Sequence, residues 1–274
     1  MRISVFDKFG AKNSAPVFAA ITEALQRQGH QVVSHDTAAD AAVIWSVLWH
    51  GRMAANRDIW LMFKASQRPV FVCEVGSIRR NHTWRVGLNG CFQWEHFVVG
   101  DTPRYLAGLD TWRIGGNHIV ITCQHQRSEQ WNAMPNMLTW IENTVSEIKY
   151  YTDLPIVVRM HPRDPINLRN VNLSRPIPIA DTYDDFDYDQ LLKKARCVVN
   201  WNSGAGITSL IKGVPVISSR ESLCRPISGT DLAQVNNPPE PDRDQWFGRL
   251  GWTEWTLDEI RQGLATERLL PKAF

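Results

Sequence analysis

The sequence predicts an α/β protein built of two Rossmann-like units, over residues 1–114 and 115–274. Short apolar runs typical of buried strands alternate with segments of helical periodicity, which favours mainly parallel sheets covered by helices. This alternation stops in an irregular stretch rich in Gly, Arg, Asn and Trp that ends at Gly115-Gly116, and it restarts at His118. A chain of 274 residues with 43% hydrophobic residues is long enough to bury a core in each unit.

The first unit has the pattern β-α-β-β-α-β. Pro16 suits the first turn of a helix, and Gly29 suits its end. The predicted strands cover residues 2–6, 31–33, 40–47 and 70–74, and the predicted helices cover residues 16–28 and 56–66.

The second unit repeats the alternation of strands and helices. A break at Gly213-Val214-Pro215 lies between the predicted helix over residues 205–211 and the predicted strand over residues 216–218. The predicted strands cover residues 118–122, 155–160, 197–199 and 216–218, and the predicted helices lie within residues 135–150, 184–195, 205–211 and 255–264.

Composition excludes several classes of protein. The five cysteines are scattered without a CxxC pair, which argues against a zinc site and for a reducing compartment. The N-terminus begins directly with a strand pattern, and no apolar run reaches the length of a membrane span. We therefore expect a cytoplasmic protein without a membrane partner, in the host cytoplasm if a phage encodes it. The net charge of +2 neither requires nor excludes a nucleic-acid partner.

The segment from Cys197 to Ser218 carries the first candidate site. A buried strand leads into Asn200-Trp201-Asn202-Ser203, whose side chains suit a turn and a helix N-cap. Gly204 and Gly206 allow the backbone to approach a ligand closely. The unpaired N–H groups of a helix that begins near Ala205 form an anion site, for which a nucleotide diphosphate is the candidate. The alternative is a well-capped βα turn without a ligand.

Charged residues follow two other predicted strands. Glu74 ends the fourth strand, where a carboxylate can act as general base on an acceptor hydroxyl; the alternative is a salt-bridged or helix-capping glutamate. Arg159, His161 and Arg163 follow a strand of the second unit, where they can neutralise a diphosphate leaving group.

The densest basic cluster follows Glu74 and contains an aromatic residue. Arginine and histidine can hold phosphates, and tryptophan can stack on a base. Trp49 and Arg52 flank this cluster at the neighbouring strand end. The alternative is a solvated basic loop. The cluster consists of Arg79, Arg80, His82, Trp84 and Arg85.

The acidic run from Asp181 to Asp189 could bind a divalent cation. The run lacks the glycine and the terminal glutamate of an EF-hand loop. A solvated helix start explains the charges better, so we predict no metal site.

Two stretches resemble glycosyltransferases. Residues 202–207 and 213–216 resemble the donor-binding βαβ element of the GT-B class, and Arg159-Met160-His161-Pro162 is similar to the His-Pro motif of capsule and sialic-type transferases. In the first unit, residues 43–46, 70–75 and 83–84 resemble phage DNA β-glucosyltransferases, in which an aspartate stands at the position of Glu74. The stretch from Trp45 to Asn89 also resembles uncharacterised phage proteins.

The resemblance implies two units that face a central cleft and an inverting hexosyltransferase with Glu74 as base. The donor would be a nucleotide-diphosphate sugar, with a UDP-sugar favoured and no clear requirement for a divalent metal. The acceptor would be a 5-hydroxymethylpyrimidine in phage DNA. Donor binding falls to Arg159, His161, Asn202, Ser203, Gly204, Ala205 and Gly206, and acceptor binding to Trp49, Arg52, Arg79, Arg80, His82, Trp84 and Arg85.

Two other functions stay open at this point. One is a glycosyltransferase that acts on a capsule or surface glycan, which would keep the donor site and change the acceptor site. The other is a non-catalytic module that binds a nucleotide or nucleic acid. The sequence leaves the sugar and the oligomeric state open.

Overall fold

The computed structural model describes residues 1–113, 115–169, 171, 173 and 185–273. Its strands and helices confirm the predicted α/β class. Contacts divide the chain into two compact units: unit 1 comprises residues 1–107, 127–130 and 247–274, and unit 2 comprises residues 108–126 and 131–246.

The elements are numbered in chain order over the described residues. The strands are β1 (Arg2–Val5), β2 (Gln31–Ser34), β3 (Ala41–Trp45), β4 (Val70–Val75), β5 (Trp84–Leu88), β6 (His118–Thr122), β7 (Ile156–Arg159), β8 (Ala195–Asn200), β9 (Val216–Ser218) and β10 (Glu254–Trp255). The α-helices are α1 (Ala15–Arg27), α2 (Asn56–Ala65), α3 (Met137–Tyr151), α4 (Asp185–Leu192), α5 (Gly204–Ile211), α6 (Asp244–Leu250), α7 (Leu257–Gln262) and α8 (Leu264–Ala273).

Unit 1 is a six-stranded sheet in the order β10-β5-β4-β3-β1-β2. Strands β1 to β4 are parallel, whereas β5 pairs antiparallel with both β4 and β10. One hydrophobic cluster joins the sheet to α1, α7 and α8, and it includes Ile21, Phe71, Ile260 and Leu269. The parallel part places the carboxyl ends of β1, β3 and β4 at one edge, where ligands bind in sheets of this type.

Unit 2 is a four-stranded, entirely parallel sheet in the order β7-β6-β8-β9. Its strands are continuous apolar runs, as expected for a sheet covered on both faces. Helix α3 contributes Met137, Ile141 and Ile148 to the core cluster under β6, β7 and β8. All four carboxyl ends therefore share one edge of this sheet.

The C-terminal segment corrects the predicted unit boundary, because residues 247–274 belong to unit 1 and not to the predicted second unit. Strand β10 extends the unit 1 sheet through β5, and α7 packs on α1. The helix predicted over residues 255–264 is shorter in the structure: α7 ends before Gly263, which adopts φ 91°, and a further helix, α8, begins at Leu264.

Candidate functional site

The carboxyl edge of the unit 2 sheet brings the two predicted donor-binding regions together. The strand register pairs Arg159 of β7 with Thr122 of β6, Thr122 with Asn200 of β8, and Asn200 with Ser218 of β9. Because neighbouring strands lie about 4.8 Å apart, the backbones of Arg159 and Asn200 are about 10 Å apart. The predicted donor residues on β7 and after β8 thus lie along one short edge.

Asn200 organises the turn that follows β8. Its buried side chain donates from Nδ2 to Thr122 Oγ1 at 2.8 Å and to Ser203 Oγ at 2.7 Å, and its Oδ1 accepts from the Ser203 N–H at 3.2 Å. The Asn202 N–H donates to Oε1 of the buried Gln124 at 3.2 Å. The predicted turn after β8 is thus held by Asn200, which ends β8, and by Gln124, which follows β6.

Helix α5 begins at Gly204 with Ser203 as its N-cap residue. Ser203 has the extended backbone of an N-cap but makes no side-chain cap hydrogen bond, because its hydroxyl is held by Asn200. The first turn of α5 therefore keeps amide groups that its N-cap side chain does not bind, which is the condition for anion binding at a helix start.

Gly206 has a packing role that the sequence interpretation missed. A Cβ atom at this position would lie 2.8 Å from Asn200 Oδ1 and 3.1 Å from Cys224 Sγ. Gly206 thus lets α5 pack closely on Asn200, and the structure gives no support for the predicted close approach of a ligand at this residue.

Tyr188 of α4 links Arg159 to the start of α5. The Arg159 guanidinium lies over the Tyr188 ring, 4.8 Å from its centroid. The Tyr188 hydroxyl lies 3.0 Å from the Ala205 carbonyl oxygen, to which it donates, and 2.5 Å from Ser209 Oγ. The Arg159 guanidinium thus packs on the Tyr188 ring, and the Tyr188 hydroxyl forms a hydrogen bond to the first turn of α5.

His161 is a neutral hydrogen-bonding group. The pKa of His161 is lowered to about 3, chiefly by burial and then by the nearby His125, Arg163 and Arg159, against the opposing effect of Asp164. The Nδ1 atom of His161 accepts a hydrogen bond from the Arg163 N–H at 3.2 Å, which places the proton of the neutral ring on Nε2. In the unliganded protein His161 is therefore neutral, and its part in binding a diphosphate stays a prediction.

Glu74 lies next to the last residue of β4 and is half-buried. Its Oε1 accepts the Val75 N–H at 2.7 Å. In the antiparallel register it stands opposite Arg85 of β5, which in turn stands opposite Glu254 of β10. The ion pair in this row joins Arg85 Nε to Glu254 Oε1 at 3.5 Å.

Two loops of unit 1 carry the predicted acceptor residues that reach the surface. Arg79 and His82 are exposed and Arg80 is half-buried in the loop between β4 and β5, and Arg52 is exposed in a 3-10 turn after β3. Trp49 is half-buried, with its ring 5.8 Å from that of Trp60. Because β3 and β4 are parallel neighbours, both loops leave the same edge of the sheet.

Trp84 and Arg85 do not belong to this exposed group, which corrects the prediction that they bind the acceptor. Both lie in β5 and are buried. Trp84 packs in the unit 1 core with Trp255, so it cannot stack on or wedge between bases in this state. Arg85 donates to Ser77 Oγ at 2.7 Å and pairs with Glu254.

Of the acidic side chains in the run from Asp181 to Asp189, only that of Asp189 belongs to the described part of the chain. Asp189 forms an ion pair with Lys212 of unit 2, whereas Asp181 and Asp184 lie outside the described residues. Within the described parts of the chain, no three His, Cys, Asp or Glu side chains converge as metal ligands would. None of the helices described is both long and apolar enough to cross a membrane.

Comparison with known proteins gives structural similarity only. No protein-family model matches the chain, and no curated protein matches it. A β-Kdo 2,7-transferase, KpsC of Thermosulfurimonas dismutans, is similar with TM-score 0.47 and 10% identity over 97% of this chain and 99% of that one. The UDP-GlcNAc 2-epimerase of Methanocaldococcus jannaschii, in complex with UDP-GlcNAc and UDP, has TM-score 0.43 and 13% identity over 99% and 100% of the two chains. MnaA of S. aureus, in a structure with UDP, has TM-score 0.37 and 14% identity over 98% and 94%.

Proposed function

We propose that the protein is a glycosyltransferase whose unit 2 binds a nucleotide-diphosphate sugar, with a UDP-sugar as the donor. One observation carries the proposal. Tyr188 contacts both the Arg159 guanidinium and the first turn of α5, and the N-cap side chain of that helix, Ser203, is hydrogen-bonded to Asn200. A cation and a helix start at one strand edge suit a diphosphate, which carries negative charge on both phosphates.

The same groups suit the chemistry of the leaving group. Negative charge grows on the diphosphate as the glycosyl bond breaks, and fixed dipoles and cations aimed at that charge lower the barrier. Arg159 supplies a positive charge, α5 supplies backbone N–H groups, and His161 supplies a neutral hydrogen-bond donor on Nε2. In this proposal the protein itself compensates the charge of the leaving group.

Glu74 is the proposed general base on the acceptor side. In an inverting transfer, the acceptor hydroxyl oxygen attacks the anomeric carbon, its proton passes to the Glu74 carboxylate, and the bond from the anomeric carbon to the diphosphate breaks. Glu74→Gln should abolish transfer and leave donor affinity intact. The exposed Asp58 of α2 offers a matched control, because Asp58→Asn also removes one carboxylate from unit 1 and should keep full activity. Transfer by Glu74→Gln at the wild-type rate would exclude Glu74 as the base.

The proposed acceptor is a 5-hydroxymethylpyrimidine in DNA. Exposed Arg52, Arg79 and His82, on loops that leave one sheet edge, support an acceptor that carries phosphates. The affinity for a DNA duplex should then fall steeply as the salt concentration rises. A plot of the logarithm of the association constant against the logarithm of the salt concentration should have a slope of about −0.9 per phosphate contacted. Transfer to a capsule glycan without salt-dependent duplex binding would favour the alternative acceptor.

A thermal-shift panel of nucleotide sugars tests the proposal as a whole. A ligand at about one hundred times its Kd stabilises the folded state by about 2.7 kcal/mol, which such an assay detects readily. We expect UDP and a UDP-sugar to raise the Tm and adenosine to leave it unchanged. A panel in which no nucleotide sugar raises the Tm would contradict the transferase proposal.

A further inference from the structure

Glu254 is a fully buried carboxylate that the C-terminal segment inserts beside the loop after β4. Its Oε1 accepts the Ser77 N–H at 2.6 Å, and its two oxygens accept the Ile78 N–H at 3.2 and 3.1 Å. Its Oε2 also accepts from Thr83 Oγ1 at 2.7 Å, and Arg85 balances its charge. Every one of these donors belongs to the loop over residues 77–83 or to the strand that follows it.

These contacts fix both ends of that loop. The Gly76 N–H donates to the Thr83 carbonyl oxygen at 2.9 Å, and the Thr83 N–H donates to the Arg79 carbonyl oxygen at 2.9 Å. Arg85 adds a hydrogen bond to Ser77 Oγ. The backbone that carries Arg79, Arg80 and His82 is therefore held by one carboxylate that lies 176 to 177 positions away in sequence.

Both side-chain oxygens of Glu254 must act as hydrogen-bond acceptors in this environment. Two backbone N–H groups and a hydroxyl donate to this side chain, and the Arg85 guanidinium forms an ion pair with it. A glutamine of the same shape would turn an NH₂ group toward some of these donors and leave buried N–H groups unpaired. The burial of such a charge is favourable only with this degree of pairing.

We propose that Glu254 is a positioning residue that holds the loop over residues 77–83 in the geometry that binds a phosphate-bearing acceptor. The proposal rests on the proposed function for the acceptor, and it adds that the C-terminal segment determines acceptor affinity without touching the acceptor. A preorganised loop loses little conformational freedom on binding, so release of the loop weakens binding even though Arg79 and His82 remain.

The test compares two glutamates of the same C-terminal segment. Glu254→Gln removes the loop contacts. Glu259→Gln is the matched control, because Glu259 also pairs with a partly buried arginine, Arg104, at 2.6 Å, and accepts the Thr256 N–H. Both of these partners lie outside the loop over residues 77–83. Both variants lose an ion pair with an arginine, so a general loss of stability affects both. A third variant, Thr83→Val, removes a single donor to Glu254 and perturbs folding less.

Two measurements are made on each full-length variant. Hydrogen exchange reports the protection of the Ser77 and Ile78 amides, which should fall in Glu254→Gln and stay unchanged in Glu259→Gln. Binding of a fluorescein-labelled duplex that contains 5-hydroxymethylcytosine should weaken about tenfold in Glu254→Gln and Thr83→Val, but not in Glu259→Gln. UDP affinity should be the same in all variants.

The outcomes separate this proposal from the proposed function. Wild-type exchange at Ser77 and Ile78 in Glu254→Gln would overturn the structural role of Glu254. Increased exchange with unchanged duplex affinity, or no duplex binding by the wild type, would overturn its role in acceptor binding. Failure of UDP to bind would contradict the donor assignment in unit 2 and leave the exchange and duplex results to decide on Glu254.

Discussion

Replacement of Asn200 by alanine should both destabilise unit 2 and weaken donor binding. The side chain makes three hydrogen bonds, to Thr122 Oγ1, Ser203 Oγ and the Ser203 N–H. At about 1 kcal/mol net for each bond, their loss amounts to about 3 kcal/mol of unfolding free energy. The released Ser203 hydroxyl can then cap α5, which recovers about 1 kcal/mol. The expected net loss is therefore about 2 kcal/mol.

The new cap also explains why donor affinity should fall. If the Ser203 hydroxyl oxygen accepts a hydrogen bond from an amide in the first turn of α5, that amide can no longer donate to a phosphate oxygen. Urea unfolding measures the stability, and isothermal titration with UDP measures the affinity. Asn143→Ala, on the exposed side of α3, is the control and should change stability by less than about 0.5 kcal/mol. If Asn200→Ala resembles this control in both measurements, the description of the turn is wrong.

Three further predictions concern single residues. The pKa of His161 is about 3 in the folded protein and about 6.5 in the unfolded chain. The free energy of unfolding is therefore at its full value above about pH 6.5 and decreases as the pH falls, because the unfolded chain then binds a proton that the folded protein does not. His161→Asn should lose less stability than the wild type in urea unfolding between pH 7 and pH 4, and an equal loss would refute this. Trp84→Ala should lower the unfolding free energy by about 3–5 kcal/mol, while Trp84→Phe should bind the labelled duplex like the wild type; weaker binding by a stably folded Trp84→Phe would restore Trp84 as an acceptor residue. Gly206→Ala should cost about 1–3 kcal/mol through its clash with Asn200, whereas Gly108→Ala, with nothing within 4 Å of the added Cβ, should cost almost nothing; thermal unfolding of both variants compares them directly.

The parallel strands could be predicted because their signal is local. Runs such as Val70 to Val75 and Ala195 to Asn200 are apolar over the length of one buried strand. Strands β5 and β10 could not be predicted in this way. Strand β5 reads Trp-Arg-Val-Gly-Leu within a basic stretch, and β10 has only two residues, so their pairing depends on contacts between distant parts of the chain.

The same distinction separates the site residues that were predicted from those that were missed. Arg159 ends one recognisable strand and Ser203 lies in the turn after another, so their shared edge follows from the topology. Trp84 was misread because a tryptophan between basic residues resembles a nucleic-acid-binding loop, whereas its pairing in β5 buries it. Tyr188 and Glu254 act through contacts with residues far along the chain, and no local pattern marks such contacts.

The most direct test of the donor site is a ¹H–¹⁵N NMR titration of the protein with UDP. We expect the largest shifts at the amides of Gly204 and Ala205, and we expect the His161 ring to be affected at the same UDP concentrations. Asn200→Ala should reduce the apparent affinity in the same titration. Unchanged Gly204 and Ala205 amides at saturating UDP, or shifts confined to residues of unit 1, would contradict the assignment of the donor site to the start of α5.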